Sequence, residues 1–394
     1  IVDSGKVSPL ETQFGEIQEN TFWVCHEYSI AFWLSGKIQF VIQWKKRYEQ
    51  LLMEVVPMSL FTQEYRDMIK KVGSLLDGNS EWIQRYKGYI SAIKTNDSII
   101  KDARRKFNSS ENLDIYLSVS KVKEANSRTV KFDVRYKGQS VGEIFVRKSG
   151  VSIGFKAKNR DYYSDYPLML SSIPETEERD WKNSEEARCF REYFAESPRR
   201  KNGNLEHNFE SQLLEQFLKD RSDDKYLLNI QPIRLLEKGY FQMPTPITAS
   251  EAMKGKIEYS GENGGGIDIL ARQGIGNGVC LTVIELKDEC KKEEPPEKAI
   301  MQAIAYVTFL QKLLRTPGAD PEGWWKFFGF NGPIPAKLKI RTVIAMPEGD
   351  YNDTSFGGEI LPIGESNDCL ELHYLYFTAE GDTITGISDT SLNG

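Results

Sequence analysis

Polar and apolar residues alternate along four short segments between residues 111 and 160. Successive side chains of a strand point to opposite faces of its sheet, so a period of two predicts strands with one buried face. Glycine-bearing turns such as Lys137-Gly138-Gln139 separate the segments, which is typical of an antiparallel meander. The segments are 115–119, 130–136, 141–146 and 151–155. We therefore predict a small antiparallel sheet over residues 111–160, with a structural or ligand-recognising role.

A helical period precedes this sheet. Apolar residues recur three and four positions apart over 63–76 and over 81–93, and this spacing predicts two amphipathic helices. We predict a mixed, mainly helical N-terminal region over residues 1–110, which forms one domain with the sheet that follows it.

The composition changes after the sheet. Residues 161–204 are polar and contain several prolines, which predicts a linker with one short helix at 184–195. A new helical pattern then runs from residue 207 to about residue 219. Its apolar side chains are Phe209, Leu213, Leu214 and Phe217. We predict that a separate domain begins at this helix and occupies residues 205–394.

Strand patterns and helical patterns mix within the predicted C-terminal domain. The strand-like segments outside its central stretch are 226–236, 239–243, 338–345, 370–377 and 383–387. The fold class expected from these patterns is α/β (α+β), with a mixed central sheet flanked by helices in the C-terminal half. The N-terminal half is expected to be an α+β region that contains the antiparallel meander.

Composition narrows the class of protein. The 394 residues are 40% hydrophobic and 27% charged, which is ordinary for globular proteins, and the length predicts two or three domains. No run of about 18 apolar residues occurs, so we expect no membrane span. Five scattered cysteines predict free thiols in a reducing cytoplasm, and three distant histidines argue against a zinc cage. The net charge of −6 argues against nonspecific coating of DNA.

The most informative residues are charged side chains placed in apolar strand patterns. Asp268 stands between Ile267 and Ile269, and a charge at such a position is costly unless it is paired or bound to a cation. After a glycine-rich turn, a nearly continuous apolar run ends in Glu285-Leu286-Lys287, as expected of a strand buried on both faces. A hairpin between the two strands would bring Asp268 beside Glu285.

Two carboxylates that converge at strand ends form an oxygen-rich site that suits Mg²⁺ or Mn²⁺. Such a cation polarises a phosphodiester and lowers the pKa of a bound water. Lys287, on the same face as Glu285, could position the water or stabilise charge on the phosphate. The alternative is a structural ion pair of lysine and carboxylate at a strand end.

The pattern Asp268…Glu285-Leu286-Lys287 resembles the motif of the PD-(D/E)XK nuclease superfamily, over roughly residues 205–347. The resemblance implies a restriction-endonuclease-like core in the C-terminal half. Members commonly carry an acidic residue on the first core helix, and Glu210 matches that position as a third metal ligand. Glu206 and Glu215 are alternatives on the same helix. The sequence departs from the motif at Ile267, where the family has proline.

A second motif lies on the helix that follows Lys287. Pro295-Pro296 predicts a helix start, and the helix is expected to run to about residue 314. Its buried stripe is expected to be Ile300, Ala303, Ile304, Val307 and Leu310. Gln302 and Tyr306 lie four apart and are neighbours on its flank. This Gln-x-x-x-Tyr pair is similar to the helix motif of RecB-like members, which implies a supporting catalytic role for Gln302 and a substrate contact for Tyr306.

The resemblance implies a metal-dependent endo- or exonuclease that hydrolyses DNA in bacterial restriction, repair or anti-phage defence, with the N-terminal region for recognition or regulation. Cleavage of both strands of a DNA duplex usually needs two active sites, so we expect a homodimer. The alternatives are an RNase and a non-catalytic nucleic-acid-binding or scaffolding protein with the same fold. The aromatic residues between 324 and 328 could stack on bases or fill a core. A P-loop ATPase is not expected, because the G-x-x-x-x-G-K-[ST] pattern is missing from the sequence.

Overall fold

The computed structural model describes residues 31–34, 38–44, 53–57, 62–106, 112–118, 129–195, 204–218, 226–236, 239–365 and 367–392. The chain divides into two compact units between Glu64 and Tyr65. In the first unit, an antiparallel sheet has the strand order β1-β2-β3. Its strands are β1 (Ala31–Leu34), β2 (Ile38–Trp44) and β3 (Met53–Pro57).

The helices follow the predicted periodicity closely. Within the described residues they are α1 (Thr62–Asp77), α2 (Glu81–Thr95), α3 (Asp97–Lys106), α4 (Asn159–Tyr162), α5 (Leu168–Ser171), α6 (Glu185–Ala195), α7 (Leu205–Leu218), α8 (Pro296–Arg315) and α9 (Pro321–Phe327). The predictions at 63–76, 81–93, 184–195 and 207–219 are confirmed to within two residues. The predicted start of α8 is confirmed as well, because Pro296 occupies its first turn, where the missing N–H costs no hydrogen bond.

The predicted meander is confirmed and is part of a larger sheet, which we call the meander sheet. Its order is β10-β11-β4-β5-β6-β7-β8, and only the β11–β4 pair is parallel. The strands are β4 (Leu113–Leu117), β5 (Thr129–Tyr136), β6 (Gln139–Arg147), β7 (Gly150–Phe155), β8 (Glu178–Asp180), β10 (Arg234–Leu236) and β11 (Gly239–Tyr240). Lys137 and Gly138 form the tight β5–β6 turn, both with positive φ as a type I′ hairpin turn requires.

The segment predicted as a linker is largely packed structure. Strand β8 extends the meander sheet, and Phe190 and Phe194 of α6 are buried, with Phe190 packed against Phe155 of β7. Strand β8 and helix α6 therefore pack with the meander sheet, because apolar side chains spaced along a mostly polar sequence still bury one face of a helix. The remainder of the predicted linker, 196–203, lies outside the described residues.

The second large sheet, which we call the C-terminal sheet, has the order β17-β18-β16-β15-β14-β9, with β19 also paired to β18. Its strands are β9 (Ile230–Pro232), β14 (Ile269–Gln273), β15 (Cys280–Leu286), β16 (Lys339–Pro347), β17 (Ile360–Pro362), β18 (Cys369–Glu380) and β19 (Thr383–Thr390). A separate two-stranded sheet pairs β12 (Ile247–Thr248) with β13 (Glu258–Tyr259). Strand β15 is antiparallel to β14 and parallel to β16, and it is buried on both faces as its apolar run predicts.

Helix α7 joins the two large sheets. Its side chains Phe209 and Phe217 belong to one core cluster with Ile284 of the C-terminal sheet and with Tyr116 and Tyr240 of the meander sheet. The predicted boundary near residue 204 consequently does not separate two compact units. Strands β10 and β11 follow that boundary in sequence but complete the meander sheet, which sequence periodicity alone does not reveal.

The aromatic segment after α8 forms part of the core. Trp324 on α9 is fully buried and lies against Tyr86, Phe241, Phe327 and Phe328. Of the two roles expected for this segment, the structure favours core filling over base stacking, because a buried indole has no free face.

The protein is a mixed α/β fold with mixed sheets. Among the described residues, no helix combines the length and apolar character that crossing a bilayer requires.

Candidate metal centre

The β14–β15 hairpin places the two predicted carboxylates together. Ile269 pairs with Ile284, so Asp268, one residue before β14, faces Glu285 near the end of β15. The Asp268 carboxylate accepts a hydrogen bond from the Leu286 backbone N–H at 2.9 Å. This bond fixes the Asp268 side chain across the end of the hairpin, as the 17-residue separation of the two acids allows.

Helix α7 supplies the third carboxylate. One ligand oxygen each from Glu206, Asp268 and Glu285 lies within 4.8 Å of the other two. The Glu285 side chain is 1% exposed and the Glu206 side chain 36% exposed, so the cluster reaches solvent on the Glu206 side. The arrangement is that of a buried oxygen cage with one open flank.

Lys287 continues β15 through a backbone hydrogen bond to Ala345 and turns its side chain into the cluster. Its Nζ lies 3.1 Å from Glu285 Oε1 and 3.7 Å from Glu206 Oε1. The same Nζ donates a hydrogen bond to Gln302 Oε1 at 3.1 Å. Lys287 is therefore held between two elements, and the predicted Glu285–Lys287 face is confirmed.

Helix α8 supports this arrangement through its predicted polar pair. The Gln302 amide nitrogen donates a hydrogen bond to the Tyr306 hydroxyl at 3.3 Å, and the Gln302 carbonyl oxygen accepts a hydrogen bond from Lys287 Nζ. The Tyr306 hydroxyl packs against Gly265, where any Cβ would collide with it. The glycines before Asp268 thus permit a close approach of backbone to helix. All five predicted stripe residues of α8 are buried, and Tyr306 is buried as well.

Burial and mutual repulsion dominate the electrostatics of the cluster. Desolvation, with smaller contributions from Glu285, Glu210 and Glu206, raises the pKa of Asp268 well above its ordinary value. Burial raises the pKa of Glu285 to about 7 even though Lys287 opposes the shift. For Lys287, burial lowers the pKa, but Glu285, Glu206 and Asp268 together outweigh burial and raise it. The lysine stays protonated, and the raised carboxyl pKa values mean that ionising all three acids together is costly without a further cation.

The acid that α7 contributes differs from the one the resemblance suggested. Glu210 is 2% exposed, but its oxygens face Tyr116, Arg135 and His207 rather than the cluster. Glu206, one helical turn earlier, occupies the position next to Asp268 and Glu285, and Glu215 is exposed further along the helix. Residues four apart share a helix flank, so sequence spacing cannot separate them. The choice depends on where α7 sits along the strand ends.

A hard divalent cation fits this set of donors. Three carboxylates suit Mg²⁺ or Mn²⁺, which prefer oxygen ligands. The Glu285 Oε2 atom is buried and has no hydrogen-bond partner among the described residues. Buried carboxylate oxygens without a donor are costly, and a bound cation would remove that cost.

No family model, curated protein or solved structure matches this chain.

Proposed function

We propose that this protein is an Mg²⁺- or Mn²⁺-dependent nuclease that hydrolyses phosphodiester bonds of DNA, and that its C-terminal half is a restriction-endonuclease-like core. The observation that carries the proposal is the convergence of Glu206, Asp268 and Glu285 with Lys287 at the ends of β14 and β15. One of these residues taken singly would be explained by a structural ion pair. Three carboxylates around one lysine leave an excess of negative charge, and a divalent cation accounts for it.

The surroundings of the hairpin support the same fold. Leu286 of β15 and Phe209 of α7 share a core cluster, so α7 packs on one face of the C-terminal sheet. Glu285 and Lys287 point to the opposite face, where Lys287 meets Gln302 of α8. Glu206 reaches Lys287 from the first turn of α7, at the end of the strand. The buried β15 thus carries its chemistry at its carboxyl end, between a helix on each face. This is the layout that the sequence resemblance implies for the core.

Glu206, Asp268 and Glu285 would hold the cation. When bound, such a cation polarises the phosphodiester and lowers the pKa of an attacking water. Lys287 is protonated at neutral pH, because its raised pKa lies far above 7. A protonated Lys287 would donate a hydrogen bond and offer positive charge to the phosphate or to the water.

The other residues of the site position Lys287. Gln302 accepts a hydrogen bond from Lys287 and is itself held by Tyr306, so the ammonium group has one preferred direction. Tyr306 is buried, with its pKa raised by burial and by Glu285, and its hydroxyl stays protonated. Substrate would approach on the exposed flank of the cluster, at Glu206.

A nuclease assay tests the proposal directly. Plasmid, linear duplex DNA, single-stranded DNA and RNA are incubated with the protein and Mg²⁺, Mn²⁺ or EDTA. We expect metal-dependent DNA cleavage that Glu206→Gln removes. Glu215→Gln is the matched control, because it changes an exposed acid on the same helix and should leave cleavage intact.

The outcomes separate the alternatives. Cleavage of RNA alone would make the protein an RNase. Binding of nucleic acid without cleavage under any metal condition would favour the non-catalytic alternative and contradict the proposed activity. Cleavage that persists in EDTA would contradict the proposed metal site.

A further inference from the structure

Arg135 of the meander sheet lies beside the acids of α7. Its Nε donates to Asp133 at 3.0 Å, and its Nη2 donates to Gln242 at 2.6 Å. The guanidinium plane stacks on the Tyr116 ring, 3.9 Å from the ring centroid. The remaining nitrogen, Nη1, is buried, makes no hydrogen bond and lies 3.8 Å from Glu210 Oε1. Arg135 is thus fixed on three sides, with its free nitrogen nearest to Glu210.

Glu210 is held from the same direction. The Tyr116 hydroxyl donates to Glu210 Oε1 at 3.4 Å, and His207 Nδ1 lies 3.5 Å from the second oxygen. Both carboxylate oxygens of Glu210 are therefore engaged by groups outside the metal cluster. Yet Glu210 remains close enough to Asp268 to raise the pKa of that acid.

We infer, on the basis of the proposed metal-dependent function, that Arg135 is a positioning residue that holds Glu210 out of the ligand set, so that α7 contributes Glu206 to the cation. The two glutamates lie one helical turn apart on the same flank of α7. Arg135 and Tyr116 of the meander sheet contact the Glu210 carboxylate. Glu206 is then the acid of α7 that faces Asp268 and Glu285.

Charge explains why an arginine is needed there. Glu210 is a buried acid on the same helix as Glu206, and Arg135, which also pairs with Asp133, places positive charge beside it. Without Arg135, Glu210 would be a buried carboxylate without a cation, and such a group is stabilised by moving toward a bound metal.

Arg135 also braces the chain that leads to Asp268. Gln242, which accepts from Arg135, packs against Gly266, where an added Cβ would lie 3.3 Å from the Gln242 side chain. Gly266 precedes Asp268 by two residues. Arg135 is therefore linked to α7 through Glu210 and to the segment before Asp268 through Gln242.

Calorimetric titration of Mn²⁺ into the full chain tests the inference. Glu206→Gln should weaken Mn²⁺ binding by roughly a hundredfold, because a ligand is lost, and Glu210→Gln by less than about tenfold, because only a nearby charge is lost. Arg135→Gln should tighten Mn²⁺ binding by about three- to tenfold, because a positive charge is removed and Glu210 is released. In the double variant Arg135→Gln/Glu210→Gln this tightening should disappear.

A purely structural role for Arg135 predicts the opposite sign. In that case Arg135→Gln would weaken Mn²⁺ binding, and it would do so whether or not Glu210 is present. Unchanged affinity would also overturn the inference. Lys131→Gln on the same strand is the control, because it removes a cation that is paired with Glu143 and should leave Mn²⁺ affinity unchanged.

Further variants keep the inference testable if Arg135→Gln is unstable. If Arg135→Gln does not fold, Arg135→Lys keeps the charge and should preserve parental affinity, while Glu210→Gln remains informative by itself. An equal or larger loss of affinity for Glu210→Gln than for Glu206→Gln would contradict the inference. Failure of the proposed nuclease activity is a separate result, because it concerns cleavage by the parent protein, whereas these titrations report Mn²⁺ affinity without substrate.

Discussion

The meander sheet and the acidic end of β15 in the C-terminal sheet differ in how their charged side chains are paired. On the meander sheet, cations and acids pair between strands: Lys131 of β5 pairs with Glu143 of the neighbouring β6, and Arg147 of β6 pairs with Glu178 of β8. At the end of β15, Glu285 and two further carboxylates surround a single lysine, and one Glu285 oxygen has no donor. Paired surface charges contribute little to stability and need no further partner. An unbalanced buried cluster is costly in isolation and points to a ligand.

Burial explains the contrast. Strand β5 alternates between half-buried and buried residues, and its charged residues Lys131, Asp133 and Arg135 are half-buried and paired with opposite charges. Strand β15 is buried along almost its whole length, and its charges emerge only where the strand ends. Low-dielectric surroundings strengthen every electrostatic interaction, favourable or not. If the carboxylates at the end of β15 are metal ligands and those of the meander sheet are structural ion pairs, substitutions in the two groups should have different effects.

The largest expected effect is that of Asp268→Asn. Cleavage should fall by roughly a thousandfold or more, because an amide is a poor ligand for a hard cation. Stability in EDTA should be unchanged or slightly higher, since one repelling charge is removed from the cluster. Cleavage kinetics, Mn²⁺ calorimetry and thermal unfolding in EDTA measure these effects.

Glu178→Gln on the meander sheet is the control for that variant. It removes the acid of a surface ion pair and should leave both cleavage and Mn²⁺ binding unchanged. If Asp268→Asn binds Mn²⁺ like the parent and still cuts DNA, the proposed active site is wrong.

Lys287→Ala should also stop cleavage, but with a different effect on the metal. Loss of the ammonium group removes a positive charge 3.1 Å from Glu285, so Mn²⁺ should bind as tightly as in the parent or more tightly. Parallel cleavage assays and calorimetry separate the two properties. Weakened Mn²⁺ binding in this variant would mean that Lys287 organises the carboxylates and does not act on the substrate.

The metal-free protein should lose stability as the pH rises from about 4.5 to about 7. The pKa of Glu285 is about 7 in the fold against 4.5 ordinarily, so the folded state binds more protons in this window. Stabilisation from the protonated form is present below 4.5 and is lost as the pH passes 7, with a change on the order of 3 kcal/mol. Urea unfolding in EDTA at pH 5 and pH 8 measures it.

The meander sheet should respond to pH in the opposite direction. The pKa of Asp133 is lowered, because Arg135 and Lys156 outweigh the effect of burial, so its contribution is lost only as the pH falls below 3.8. Saturating Mn²⁺ should reverse the trend between pH 5 and pH 8, since the cation requires ionised carboxylates. A stability that is flat over this range in EDTA would show that Glu285 is ionised throughout.

Gln302→Ala should have the smallest effect of the set, and on activity rather than stability. Gln302 is only partly buried and lies off the apolar stripe of α8, so its removal leaves the core intact. Lys287 would lose one of its fixed partners, and we expect a decrease in cleavage rate of about tenfold. A large drop in melting temperature would show that Gln302 is a structural residue.

Much of the site could be read from local patterns. The apolar run of β15 ending in Glu285 and Lys287, the hairpin that returns to Asp268, and the proline-started helix with Gln302 and Tyr306 are all short-range features. Strand and helix periods determine which side chains share a face within one element. These residues therefore came together as expected.

Other features of the site depend on packing between distant segments. The sequence by itself determined the strands, the helices and the acid-rich strand ends, because each follows from spacing along the chain. The tertiary structure decided that Glu206 and not Glu210 faces the hairpin, that β10 and β11 complete the meander sheet, and that Arg135 reaches α7. The physical reason is that a helix presents two acids one turn apart equally well. Only its axial position against two sheets, set by the shared core of Phe209, Tyr116 and Ile284, selects between them.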